Sequence, residues 1–356
     1  MSDDASLRLA CGGLHPERVR ELLARFRTPG GAVRAIETGR VRATDQVRGA
    51  VAVPAEQRRK ELAAEGVRFL TASGGAYPPH LAGAGDGPPF LFLRGELPPT
   101  PGIAVVGTRR CTAYGRRIAH SYGRALGSVG VPVISGLARG IDAAAHLGTL
   151  TSDGVGVAVM GCGLDRIYPR EHRALLHDLL AGGGAVVGEY PLGAPPLAWR
   201  FPARNRIISL LAVAVVVVEA NVTGGALITA RHALDQGREV LATPGDISRR
   251  SSAGTNNLIR DGAIPVFDAD DLLGAVSLMP EFGWLAFDAD RDGDDTLLSA
   301  ISMSGTSMVE LLRARPEPEA VIRAELRQLA ESGCIVVEGD TLLRVSPRFR
   351  IASRHR

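Results

Sequence analysis

Runs of consecutive apolar residues, each of strand length, recur from residue 103 to residue 267: "IAVV" (103–106), "VPVIS" (131–135), "GVAVM" (156–160), "AVVGE" (185–189), "VAVVVVEA" (213–220), "EVLAT" (239–243) and "IPVF" (264–267). They do not alternate with polar residues, so both faces of each strand must be covered. That is the signature of parallel strands between two layers of helix. The intervening stretches carry helical spacing, as at Tyr114–Val129, Glu171–Leu180 and Ala226–Gln236. Strand–helix alternation of this length predicts an α/β, doubly wound, mostly parallel sheet. Ahead of it, "VRFLTASGGAYPPHL" and "PPFLFLRGELP" predict short strands or loops that extend the same domain.

The pattern changes at both ends. Residues 1–57 read as a small helical domain, with Leu22, Leu23 and Phe26 on one face and Arg18, Arg20, Arg25 and Arg27 solvated between them. Residues 58–277 form the α/β domain, and 278–295 an acidic linker containing "DADRDG". This last segment imitates the start of a calcium loop, but Ser299 stands where the twelfth-position glutamate belongs. Residues 296–356 predict three helices followed by two short strands around a Glu-Gly-Asp turn, the outline of a winged helix.

Composition narrows the function. The net charge is only +3, which argues against a binder that uses its whole surface for nucleic acid. The basic residues are arginines apart from Lys60, which lies in a solvated helix, so a lysine-bearing phosphate loop is excluded. Cys11, Cys111, Cys162 and Cys334 are scattered, and the histidines show no ligand spacing. This predicts no metal site and a reducing, cytoplasmic setting. Neither a signal peptide nor a membrane span is expected.

In an open parallel sheet, ligands bind beyond the carboxyl ends of the strands. The segments there are "GTRR" (107–110), "SGLARGID" (135–142), "GCGLDRIYPREH" (161–172), "YPLGAPPLAWRFPARNR" (190–206), "NVTGGALITARHA" (221–233) and "PGDISRRSSAGTNN" (244–257). They are rich in glycine and small hydroxyl residues, and the first four carry arginine. Glycines such as Gly107, Gly224 and Gly225 admit a close ligand, helix starts attract anions, and arginines grip phosphate. Arg109 replaces the second glycine of a dinucleotide fingerprint, and Arg166 the third glycine of another. The pattern suits an extended phosphate backbone better than a compact dinucleotide, with Tyr168, Trp199 and Phe201 as candidate stacking surfaces.

Seven motifs in order carry a resemblance: "VVGTRRCTAYG", "VISGLARGIDAAAH", "GCGLDRIYPREHRALL", "GEYPLGAPPLAWRFPARNRIISLLA", "VVVVEANVTGGALITARHAL", "GREVLATPGDI" and "SAGTNNLIRDGA". Over about residues 65–275 the chain resembles the DNA-processing protein A (DprA, or Smf) family. The resemblance implies an extended Rossmann fold that binds single-stranded DNA and dimerises through that domain. It implies protection of incoming DNA during natural transformation and loading of the RecA recombinase, with no catalytic residues and no cofactor. The implied DNA-contacting positions are Arg109, Ser135, Gly136, Arg139, Arg170, Arg204, Asn205 and Arg206. Three positions depart from the family: Gly188 and Gly224 replace common serines, and Arg170 a frequent lysine.

Two other readings are weighed against residues. A phosphoribohydrolase-type enzyme needs a catalytic glutamate after its glycine-threonine motif, where His232 stands here. A duplex-binding regulator would use the C-terminal segment, but Arg313, Arg323 and Arg327 alternate there with Glu310, Glu317, Glu325 and Glu331.

Overall fold

The structure, a computed structural model, describes residues 2–287, 297–302, 305–331, 335–344 and 349–351. The "DADRDG" segment, the rest of the linker after residue 287, and Cys334 lie outside the described residues.

The chain begins with helices α1 (Ser2–Ala10), α2 (Pro16–Phe26), α3 (Pro29–Glu37), α4 (Asp45–Ala52) and α5 (Ala55–Ala64). Thr28 and Thr44 cap α3 and α4, each accepting a bond from a first-turn N–H. Leu7, Leu22, Ile36 and Val51 form their buried centre. This apolar cluster is continuous with Phe90, Phe92 and Met160 of the sheet domain.

Strands β1 (Arg68–Thr71) and β2 (Phe90–Gly95), with the short helix α6 (Pro79–Ala82) between them, lead into β3 (Gly102–Val106). The alternating units follow: α7 (Ala113–Ser128), β4 (Val133–Ser135), α8 (Ile141–Leu150), β5 (Gly156–Met160), α9 (Arg173–Ala181), β6 (Ala185–Gly188), α10 (Arg200–Leu210), β7 (Ala212–Val217), α11 (Gly225–Asp235), β8 (Glu239–Ala242), α12 (Ala253–Arg260), β9 (Ile264–Pro265) and α13 (Ala269–Ser277).

One sheet runs in the order β1-β2-β6-β5-β4-β3-β7-β8-β9. From β6 to β9 its pairs are parallel, whereas β1–β2 and β2–β6 are antiparallel. Every residue of β3, β5 and β7 is buried, as expected of strands covered on both faces. Strand order reverses between β3 and β7, which fixes where a crevice can open.

One expectation is corrected. Residues 190–206, expected as one loop beyond a strand end, include the first turns of a helix, since Arg200 starts α10. Pro202 falls in the first helical turn, where its missing N–H has no intrahelical partner to lose.

Helices α7 and α8 touch backbone to backbone. A Cβ on Gly123 would overlap the Ala145 carbonyl, and one on Gly148 the His120 carbonyl. Also on α8, His146 is fully buried, and among the described residues neither ring nitrogen has a hydrogen-bond partner.

Beyond α13, a separate apolar cluster contains Leu297, Ile301, Leu311, Ile322, Leu326, Ile335 and Leu342. It joins helices α14 (Met308–Ala314) and α15 (Glu319–Glu331) to a three-stranded sheet. Two strands of that sheet are the expected hairpin, 335–338 with 341–344, and Gly339 supplies its positive φ of 62°. No described helix is long and apolar enough to cross a membrane.

Two outcomes follow from this packing. Gly148→Ala should lower unfolding free energy by about 1–3 kcal/mol, read as a shifted urea midpoint at unchanged slope. Burial holds the His146 pKa at about 3, well below the ordinary imidazole value of 6.5. The unfolded chain therefore binds a proton that the folded one refuses, and stability is lost as pH falls from about 6.5 towards 3. His146→Leu should reduce that slope by up to about 1.4 kcal/mol per pH unit in urea titrations between pH 4 and 6.

Candidate nucleic-acid interface

A cleft of about 640 Å³ opens where the strand order reverses. Residues 107–110 after β3, Asn221 after β7, and the first turns of α10 and α11 form its walls. A smaller cavity of about 30 Å³ adjoins it, sharing Arg109, Tyr168, Phe201 and Arg204 and adding Gly136 and Arg139.

Gly107 is required by close approach: a Cβ there would strike Ile141 and the Glu219 carbonyl. Thr108 N–H donates to that same carbonyl at 2.7 Å, tying the ends of β3 and β7 together. The following helix start is already occupied. Thr112 caps α7 through Gly115 N–H at 3.1 Å, and Glu219 Oε2 accepts from Thr112 N–H at 2.9 Å and from its hydroxyl at 3.2 Å. Glu219 is buried, and its carboxylate fills the space that a Cβ on Gly115 would need. A protein carboxylate thus sits at the helix start where a Rossmann fold holds its dinucleotide pyrophosphate.

The loop after β4 is organised from within. Leu137 and Gly140 take positive φ values of 55° and 81°. Asp142 accepts from Gly136 N–H at 3.1 Å and Ala138 N–H at 3.3 Å. Burial raises the Asp142 pKa, with the Arg204 charge opposing the shift. Arg204 is itself buried and donates to the carbonyls of Gly136 (3.0 Å) and Val159. Burial lowers its pKa to about 10, so it remains charged near neutrality.

The expected site residues fall into three groups. Gly107, Asn205, Gly224 and Gly225 line the main cleft; Gly136 and Arg139 line its annex, and Arg109 and Arg204 line both. Arg139 is exposed and paired with Glu171. Asn205 Nδ2 donates to the Gly225 carbonyl at 3.1 Å, bracing α10 against α11. The remaining residues line neither space. Ser135 is fully buried, with its hydroxyl donating to Val105 O at 2.7 Å. Arg170 is exposed on the 170–172 turn. Arg206 makes a buried two-point pair with Glu189, at 2.8 and 2.6 Å, facing away from the cleft.

What remains available defines the cleft's chemistry. Arg109 and Arg110 are exposed, and among the described residues neither forms an ion pair with a carboxylate. The Arg109 guanidinium lies 5.0 Å from the Phe201 ring centroid, and Tyr168 follows at 5.4 Å. Helix α11 starts after Gly224 without a side-chain cap, and Gly224, Gly225 and Ala226 line the cleft. Two of the three stacking candidates therefore line the cleft, whereas Trp199 lies outside it. Arg110, Asn221 and Thr229 also line it; their place directly after a strand, or one turn into the next helix, was the available signal. His232 is not among the lining residues.

The model of the DNA recombination-mediator protein A family matches residues 68–277, more than half of the chain. The chain belongs to that family. It is 49% identical over 199 residues to Protein Smf of Escherichia coli, covering 55% of this chain and 53% of that one. It is 41% identical over 199 residues to DNA processing protein DprA of Streptococcus pneumoniae, covering 55% and 70%. The chain spans about half the length of the first of the curated relatives that it matches. The crystal structure of the S. pneumoniae DprA superposes with a TM-score of 0.64 at 32% identity, over 75% of this chain and 95% of that one. The Helicobacter pylori DNA processing protein A, described for its single-stranded DNA binding mode, gives 0.53 at 27% identity, over 59% and 95%. These family structures agree with the α/β sheet assembled above.

Arg204→Met should cost about 3–5 kcal/mol of stability, because Asp142 and two strand-end carbonyls lose a buried partner. A urea-denaturation midpoint close to that of the parent protein would contradict this role.

Proposed function

We propose that the cleft binds single-stranded DNA without catalysing a reaction. The observation that carries this reading is the stack Arg109–Phe201–Tyr168 beside the uncapped start of α11. Phosphates would meet Arg109 and the N–H groups at Gly225 and Ala226. Bases would stack on the aromatic rings, a contact that every base can make. The occupied start of α7 argues against a dinucleotide in the same place. The single-stranded DNA binding described for the H. pylori relative supports the same choice.

Among the expected contacts, Arg109, Arg139, Asn205, Gly224 and Gly225 are best placed to touch the strand directly. Arg204, Gly136 and Ser135 act by shaping the loops. Arg170 belongs to an outer flank, and Arg206 to the packing around Glu189.

The further roles implied by family membership form part of the same proposal: a cytoplasmic protein that protects incoming DNA and loads RecA during natural transformation. A homodimer through the sheet domain is also proposed. The parallel edge strand β9, with Ile264 and the nearby Phe267 exposed, offers an unpaired edge for it. The C-terminal helices and hairpin are proposed to be a winged-helix module.

Arg109→Ala should weaken binding of a fluorescein-labelled oligothymidylate about tenfold. It should also reduce the slope of log affinity against log salt by about 0.7, the share of one phosphate on a single strand. Fluorescence anisotropy across a salt series measures both. Unchanged affinity and slope would exclude the cleft as the strand's site.

A further inference from the structure

A second and larger cleft, of about 920 Å³, lies against the other face of α10 and α11. Helical spacing separates the two spaces. Phe201, Arg204, Asn205 and Ile208 face the first, whereas Trp199, Ala203, Arg206 and Leu210 face the second. Pro202 lines both and forms the saddle between them. The far walls are α2 and the 80–86 segment, so the N-terminal helices complete the second cleft.

Its chemistry differs from that of the first. Arg20 and Arg238 stand among Glu17, Asp86 and Asp235, and Arg206 is already paired with Glu189. Such a wall gives no net attraction for a phosphate chain, but it suits a neutral ring that both donates and accepts hydrogen bonds. Trp199 supplies a flat face for such a ring, 39% exposed at the mouth. The indole is held by His15 at 4.9 Å, by the edge-on ring of Tyr190 at 6.0 Å and by the Arg200 guanidinium at 5.2 Å.

Polar groups around the cleft are incompletely matched. Gln236 Nε2 donates to Asp86 Oδ2 at 2.9 Å and to the Arg206 carbonyl at 3.2 Å, which fixes the amide. Among the described residues, Gln236 Oε1, His80 Nε2 and Arg238 Nε have no hydrogen-bond partner, and all three residues line this cleft. Burial lowers the pKa of His80 and of His232, so both are neutral near pH 7. A neutral imidazole offers one donor and one acceptor, as the edge of a base requires.

We propose that the second cleft receives a nucleobase from the strand that leaves the first cleft over Pro202, so that one strand engages both faces of α10. This inference rests on the reading of the first cleft as a single-stranded DNA site.

The test uses the full chain and labelled oligothymidylates of graded length. Affinity should rise beyond the statistical increment once an oligonucleotide can reach past Pro202. Trp199→Ala and His80→Phe should each weaken the long oligonucleotides roughly five- to a hundredfold. Both should leave the short ones unchanged, which also shows that the variants are folded. Arg109→Ala should weaken both lengths. Long oligonucleotides that bind no better than short ones, or variants that match the parent at every length, would overturn the second site. Free thymidine monophosphate that binds in a His80-dependent way, without any length effect, would overturn it in favour of a separate nucleotide pocket. Failure of the parent protein to bind any length would remove the first-cleft reading, and this inference with it.

Discussion

The buried guanidinium of Arg204 is the constraint on which the site depends. It reaches from α10 to carbonyls at the ends of β4 and β5, beside the buried carboxylate of Asp142. Three separate chain segments are thereby locked in one register. A cation in such a place is tolerated only when partners surround it, since an isolated buried charge is far too costly. The loop after β4 gains its shape from the same arrangement. Asp142 gathers two backbone N–H groups, and Leu137 is held at positive φ. The exposed arginines of the cleft are displayed on a frame whose own charges are already satisfied.

That division explains what could be read from the sequence. The parallel strands were legible because continuous apolar runs such as 103–106 and 156–160 have few alternative explanations. The crevice was legible because it follows from strand order. Helix α10 was not, since Pro202 and the prolines that precede the helix mimic a loop and its helical face is set by tertiary contacts. The arginines presented the same difficulty. Arg109, Arg204 and Arg206 look equivalent in sequence, yet one is exposed over an aromatic ring, one supports backbone carbonyls and one is bound to Glu189. Their difference lies in which carboxylate or carbonyl the fold brings to each, and that is a long-range property.

The carboxylates follow a common rule. Asp142 and Glu219 near the cleft, and Glu189 behind it, are each turned towards an internal donor. Glu189 is paired with Arg206, Asp142 lies beside Arg204, and Glu219 is spent on a helix start. The cleft keeps a positive character although the chain as a whole is close to neutral, so a modest net charge is compatible with a local anion site.

Glu219 at the start of α7 has one more consequence. A tethered carboxylate is present at an effective concentration that no freely diffusing cofactor can match, because its binding carries no translational cost. It acts as a built-in competitor for any anion that this helix start would otherwise attract. A dinucleotide pyrophosphate is thereby kept from a position that the topology would otherwise offer it.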